Sequence, residues 1–251
     1  MPSYSNKSNK IYFNIYNTQK NAGNLLLIHD NGQSSKIFDS ELKFYSGYFN
    51  VMTVDLSGHG KSNPSSDKKN NFWISNAIAI SELCEKNKFK KFSAIGIGGG
   101  GLVALNIALI NPDIIKNIFA ESIPSLESDL NYLNYILQYR DDIKNSDGKN
   151  IFHSLNGAKW GKILDEDSAM LQTFTETGGS YLIGNPAQIN SRVLLAGSSG
   201  YDLIPHIEDR LRMISGLFKK SQVHIFSAAK YPLIINKNHE YRTITLNYLF
   251  D

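Results

Sequence analysis

Residues 92–110 read FSAIGIGGGGLVALNIALI, four consecutive glycines set between two apolar runs. A glycine inside a regular element costs about 0.5–1 kcal/mol relative to alanine. A chain that carries four needs unusual dihedrals there, a close approach of backbone, or both. Three structures would use such a loop: a membrane span, a dinucleotide-binding turn and a nucleophile elbow. The first fails on its own residues. Glycines in the middle, with strand signals before them and helix signals after, describe a buried strand–turn–helix unit rather than a spanning helix.

The flanking sequence repeats that unit. KIYFNIY (10–16) alternates like a half-buried strand, and LLLI (25–28) is the short continuous run of a strand covered on both faces. SSKIFDSELKFY (34–45) has a helical period and NVMTVD (50–55) reads as a strand. FWISNAIAISELCEK (72–86) is helical, FSAIGI (92–97) a strand, GLVALNIALI (101–110) a helix and IKNIFAES (115–122) a strand. This alternation predicts an α/β fold, a mainly parallel sheet with flanking helices. From about Pro124 to Pro186 the rhythm breaks into helical periods and loops. It resumes at RVLLAG (192–197), HIEDRLRMISGLFKK (206–220), QVHIFS (222–227) and a helix near 238–250. The expected organisation is a core of residues 1–123 and 187–251, with 124–186 inserted as a small helical cap over the carboxyl edge of the sheet. Tyr132, Tyr135, Tyr139, Phe152 and Trp160 are aromatic residues of that cap, suited either to line a pocket or to form its own core.

Composition narrows the partners. With 41% hydrophobic and 20% charged residues the chain is a folding one. Its 26 basic side chains against 23 acidic give a net charge of +3, spread in short clusters such as Lys68–Lys69 and Lys90–Lys91. Those read as solvated faces, so no nucleic acid and no membrane is expected as a partner. Cys84, the single cysteine, sits in an apolar-periodic segment as a small buried hydrophobe and excludes an internal disulfide. With the polar amino-terminal stretch MPSYSNKSNK, that suggests a reducing, cytoplasmic location. No cofactor and no metal is expected.

Two fingerprints share the glycine loop. Gly96, Gly98 and Gly101 satisfy G-x-G-x-x-G after a strand, and Glu121 stands where a ribose-binding carboxylate would belong. Two strand–helix units precede this one, however, whereas a dinucleotide fingerprint commonly opens its domain. The same residues also align with G-x-S-x-G as Gly96-Ile97-Gly98-Gly99-Gly100, with glycine at the nucleophile position.

Further landmarks carry a resemblance. LLLIHDNGQSS (25–35) resembles an oxyanion loop after an early strand, and VDLSGHGKS (54–62) matches the pattern D-x-x-G-H-G-x-S. AGSSGYDLIP follows the inserted segment and FSAAKYPLI follows the last strand. In order and spacing this resembles an α/β-hydrolase of the capped esterase and C–C hydrolase type. The resemblance implies a Ser…Asp…His triad and two backbone N–H groups holding an oxyanion. Carried over, the nucleophile position is Gly98, the histidine position Lys230 (with His239 as its rival), and the acid Asp202. Ligand or oxyanion binding falls to His29, Asp30, Asn31, Gly99 and Gly100. Two of the three triad members are thus absent, which implies a degenerate, non-hydrolytic or diverged protein binding a small, anionic molecule beneath the cap. Asp30 opens another course, pairing with Lys230 and filling the hole internally. An active hydrolase with substituted residues and a dinucleotide-binding oxidoreductase remain the alternatives.

Overall fold

The computed structural model describes residues 3–5, 10–16, 22–65, 71–200 and 204–251. Among the described residues eight strands form one sheet: β1 (Ser3–Ser5), β2 (Lys10–Tyr16), β3 (Gly23–Ile28), β4 (Phe49–Val54), β5 (Phe92–Ile97), β6 (Ile115–Glu121), β7 (Arg192–Ser199) and β8 (Ser221–Ser227). Their order across the sheet is β1-β2-β4-β3-β5-β6-β7-β8. β1 and β2 run antiparallel at one edge, and every pairing from β4 to β8 is parallel. β5 is buried at all six positions, which is why its sequence is continuously apolar rather than alternating.

Helices cover both faces: α1 (Asp39–Tyr45), α2 (Phe72–Lys86), α3 (Gly99–Ile110), α7 (Ile207–Ser215), α8 (Leu233–Asn236) and α9 (Asn238–Phe250). Between β6 and β7 the chain inserts α4 (Leu130–Lys144), α5 (Lys149–Asn156) and α6 (Trp160–Thr177). One apolar layer, with Leu26, Ala94, Val103 and Ile118, packs beneath α2 and α3; the other, with Leu27, Ile95, Phe119 and Tyr241, packs beneath α9. Two caps fix the entries to long helices. Asn71 accepts the Ile74 N–H at the start of α2, and Asp129 accepts those of Asn131 and Tyr132 at the start of α4.

Register brings the working loops together. Ile28 pairs with Gly96, and Ile97 pairs with Glu121, so the carboxyl ends of β3, β5 and β6 are level. Residues 29–33, the turn at Gly98 and the segment after Glu121 therefore meet on one rim. β3 and β4 precede β5 and already form a parallel pair, so residues 92–121 are not the first strand–helix–strand unit of the sheet. Glu121 is fully buried, and its Oε1 accepts the Leu233 N–H at 2.6 Å. It offers no carboxylate to a ribose, and the dinucleotide reading falls. The segment HIEDRLRMISGLFKK forms a shorter helix than its period suggests, ending at Ser215 with Gly216 at its C-cap. Among the described residues no helix is long and apolar enough to cross a membrane.

Candidate functional site

Gly98 sits between β5 and α3 with φ 49° and ψ −118°, a combination that a side chain strains against. A sharp strand-to-helix turn of this kind is what a nucleophile elbow uses. Its neighbours are glycine for a second reason, close approach. A Cβ on Gly100 would lie 2.3 Å from the Ile28 carbonyl oxygen, and one on Gly96 2.4 Å from that of Gly100. Backbone cannot yield as a flexible side chain does, so the helix can seat against β3 and β5 only without those carbons.

What fills the space in front of Gly98 is Asp30. A Cβ built on Gly98 would fall 2.1 Å from Asp30 Oδ1 and 2.3 Å from its Cγ. The carboxylate occupies the volume where a nucleophile side chain would begin. The Gly99 N–H, the first amide of α3, donates to Asp30 Oδ1 at 2.6 Å, and the Tyr231 hydroxyl donates to Oδ2 at 2.5 Å. The dipole of α3 adds to the attraction, since its positive end faces the carboxylate. Burial pushes the Asp30 carboxyl above its ordinary value, while the donated hydrogen bonds from Tyr231 and Gly99 pull the other way. Tyr231 is pushed well above the usual phenol range, by burial first and then by the Asp30 charge. It is a donor here, and a poor base.

Lys230 is exposed, and the side chain delivered to Asp30 from the loop after β8 belongs to its neighbour. Tyr231 precedes Pro232, which steers its backbone away from the helical region, and the chain bends there. Of the two neighbours, Tyr231 is the one drawn inward. Sending the phenol inward loses far less solvation than burying an ammonium. His239 lies exposed on α9. Asp202 lies outside the described residues.

The two loop histidines hold backbone. His29 Nε2 accepts the Leu56 N–H at 2.9 Å, and its Nδ1 meets the Asp30 carbonyl at 2.7 Å. His59 Nε2 accepts the Gly32 N–H at 2.9 Å and its Nδ1 meets the Ser57 carbonyl at 2.9 Å. Each ring therefore accepts on one nitrogen and donates on the other, as neutral imidazole does. The rest of the 54–62 motif acts likewise. Asp55 accepts the Ser35 and Lys61 N–H groups, and the Ser62 hydroxyl donates to the Asp55 carbonyl at 2.6 Å.

Burial first, and then the charge a protonated His59 would carry, lower the His29 pKa from 6.5 to about 4. Between those values the unfolded chain takes up a proton that the folded chain refuses. Stability is therefore lost as pH falls from 6.5 through about 4. Asp30, with its folded pKa raised, works in the opposite sense just above its ordinary value, so the histidine's share must be isolated by difference. Urea unfolding at pH 7 and pH 4.5 should show His29→Gln escaping on the order of 2 kcal/mol of the acid loss seen in the parent chain. Equal losses in both would remove His29 as the cause.

Over the turn, the inserted helices reach down. Asp167 on α6 receives a short charge-assisted hydrogen bond from Arg140 on α4, and accepts Asn31 Nδ2 at 2.6 Å. His59 Nε2 lies 3.6 Å from the same carboxylate. The Trp73 indole N–H donates to Asn31 Oδ1 at 3.2 Å. The space left among Asn31, Gly99, Tyr132, Arg140, Asp167 and Tyr181 is about 10 Å³, room for about one water. Gly99 and Gly100, expected to face a bound anion, instead face Asp30 and the β3 backbone. Tyr231, Asp167, Arg140 and Trp73 complete the site and were not among the residues picked out from sequence.

A family model described as alpha/beta hydrolase fold matches residues 23–192. Pimeloyl-[acyl-carrier protein] methyl ester esterase of Wigglesworthia glossinidia brevipalpis is 33% identical over 99 residues, which are 39% of this chain and 36% of that protein. The match thus spans about a third of the curated relative's length. The enol-lactonase from Burkholderia xenovorans LB400 superposes with a TM-score of 0.77 at 14% identity, over 100% of both chains. A carboxylesterase structure from Nitrososphaera gargenis gives 0.78 at 16%, covering 99% of this chain and 97% of its own. At such identities these structures speak for the fold. The family match covers the elbow turn, both histidine loops and the inserted helices, and by it the chain belongs to the α/β-hydrolase fold family.

Proposed function

We propose that this chain is a non-hydrolytic member of its family, one that binds a small molecule without cleaving it. The observation that carries the reading is the Asp30 carboxylate, seated where the nucleophile would stand and bound to the first amide of α3. Serine-type hydrolysis needs an oxygen nucleophile, a base for its proton and an orienting acid acting as one unit. Gly98 supplies no nucleophile. The residue nearest the base position, Tyr231, holds its proton too tightly to exchange places with an imidazole. The oxyanion amide is occupied by an anion of the protein's own, so even the residual enhancement of a bare oxyanion hole is lost. The helices α4–α6 are read as the cap, closed over residues 98–99 by Asp167. Space for a ligand lies beside this closed site, next to Tyr231.

Short-chain nitrophenyl esters and a carboxylic methyl ester should be hydrolysed at the background rate. A serine-directed fluorophosphonate should leave the chain unlabelled. Ester cleavage, the reaction for which the curated relative is named, is the alternative. It would be established by turnover that survives repurification and disappears when one loop serine, such as Ser198 or Ser199, is replaced.

A further inference from the structure

On the far side of Tyr231 from the filled elbow, a cleft of about 610 Å³ is lined by α4, the end of β7 and residues 204–209. That volume is within the range of about 300–1,000 Å³ usual for small-molecule sites. Tyr135 and Tyr139, one turn apart on α4, form one wall; Tyr231 contributes to the floor. Glu208 and Asp209, in the first turn of α7, also line the cleft, with His206 ahead of them in sequence. No lysine or arginine is among the described lining residues.

Three phenol rings and two carboxylates, with no lysine or arginine among the described lining residues, make an electronegative and partly apolar surface. Tyr231 also donates its hydroxyl to the Asp30 carboxylate at 2.5 Å. That donation pushes electron density into its ring and places a third carboxylate behind it. Aromatic faces attract cations through their quadrupole, Tyr among the better of them, and most strongly for weakly hydrated organic cations. Glu208 is shared with Arg212, which donates to its Oε1 from Nε at 3.2 Å and from Nη2 at 2.8 Å. Both side chains are largely exposed, so that pair holds the carboxylate only loosely. We propose that this cleft binds a small organic cation, a quaternary ammonium or a protonated amine, against Tyr135, Tyr139 and Tyr231 and beside Asp209 and Glu208. The proposal rests on the ligand-binding reading above and names its ligand class. It is tested by binding alone, so its failure is separate from any result of the ester assay.

The probes are choline and 3,3-dimethylbutan-1-ol, which share a shape and differ in charge. Each is titrated into the full chain at pH 8 by calorimetry or followed by saturation-transfer NMR. Choline should bind about tenfold or more tightly than the alcohol. Replacing both carboxylates, Glu208→Gln with Asp209→Asn, should weaken choline about tenfold and leave the weak alcohol binding unchanged, while the loss of two acidic groups from the first turn of α7 lowers the urea midpoint only slightly. Tyr139→Leu should weaken choline as well. The proposal is overturned if the alcohol binds as well as choline, if choline is bound equally by the double carboxamide variant, or if no choline binding is detected up to about 10 mM.

Discussion

Gly98→Ser should destabilise the fold by about 3 kcal/mol and confer no esterase activity. Two costs combine. A non-glycine residue at φ 49° and ψ −118° is strained, by about 1–3 kcal/mol. Its Cβ would also lie 2.1 Å from Asp30 Oδ1, so the carboxylate must leave the Gly99 N–H and the Tyr231 hydroxyl to make room. An ordinary elbow tolerates the first cost because nothing stands in front of it. The second is particular to this chain, and it can be isolated. Asp30→Gly empties the space at the expense of two hydrogen bonds. Gly98→Ser added to Asp30→Gly should then cost less than Gly98→Ser added to the parent chain, by about 1–3 kcal/mol of coupling in a urea double-mutant cycle. Strictly additive effects would mean that Asp30 does not hold the nucleophile's place, and the non-hydrolytic reading would lose its main support.

The strands and helices were legible wherever burial imposes a period. KIYFNIY, FSAIGI and FWISNAIAISELCEK give β2, β5 and α2 with the bounds expected of them. Short elements escaped: β1 has three residues and α8 four, too few for any period to register. In the site, the glycine run announced a sharp turn, and the structure adds that part of the run exists for close packing against β3. Whether Lys230 or Tyr231 faces inward is a one-residue question that spacing alone does not answer. Solvation answers it, since only one of the two side chains is cheaply buried. Asp167 and Arg140 were less legible still. Charged residues on helices ordinarily face water, and nothing local in DEDSAM or QYRDD marks the two that are buried against each other. Their partnership is a tertiary fact, 27 residues apart in sequence.

That partnership should be the most costly one to break singly. Asp167 and Arg140 side chains are 2% and 6% exposed, and each is satisfied by the other and by neutral groups. Arg140 also donates to the Ser168 hydroxyl at 2.9 Å, and Asp167 takes the Asn31 amide. Removing one member leaves a charge without water and without its counter-ion, which costs about 3–5 kcal/mol in comparable buried pairs. Arg140→Met and Asp167→Leu should each destabilise by that order in urea unfolding. The two together should return close to the parent chain, because an apolar pair of similar volume avoids the desolvation that the ions incurred. The locations of the partners predict a second readout. Asp167 rides on α6, Arg140 on α4 and Asn31 on the loop after β3, so the single variants loosen α4–α6 from the core before the sheet unfolds. Limited proteolysis should therefore cut within residues 145–160 of either single variant under conditions that spare the parent and the double variant. Single variants within about 1 kcal/mol of the parent, or equal protection of that segment in all four proteins, would show that the inserted helices are held in place by apolar packing rather than by this buried pair.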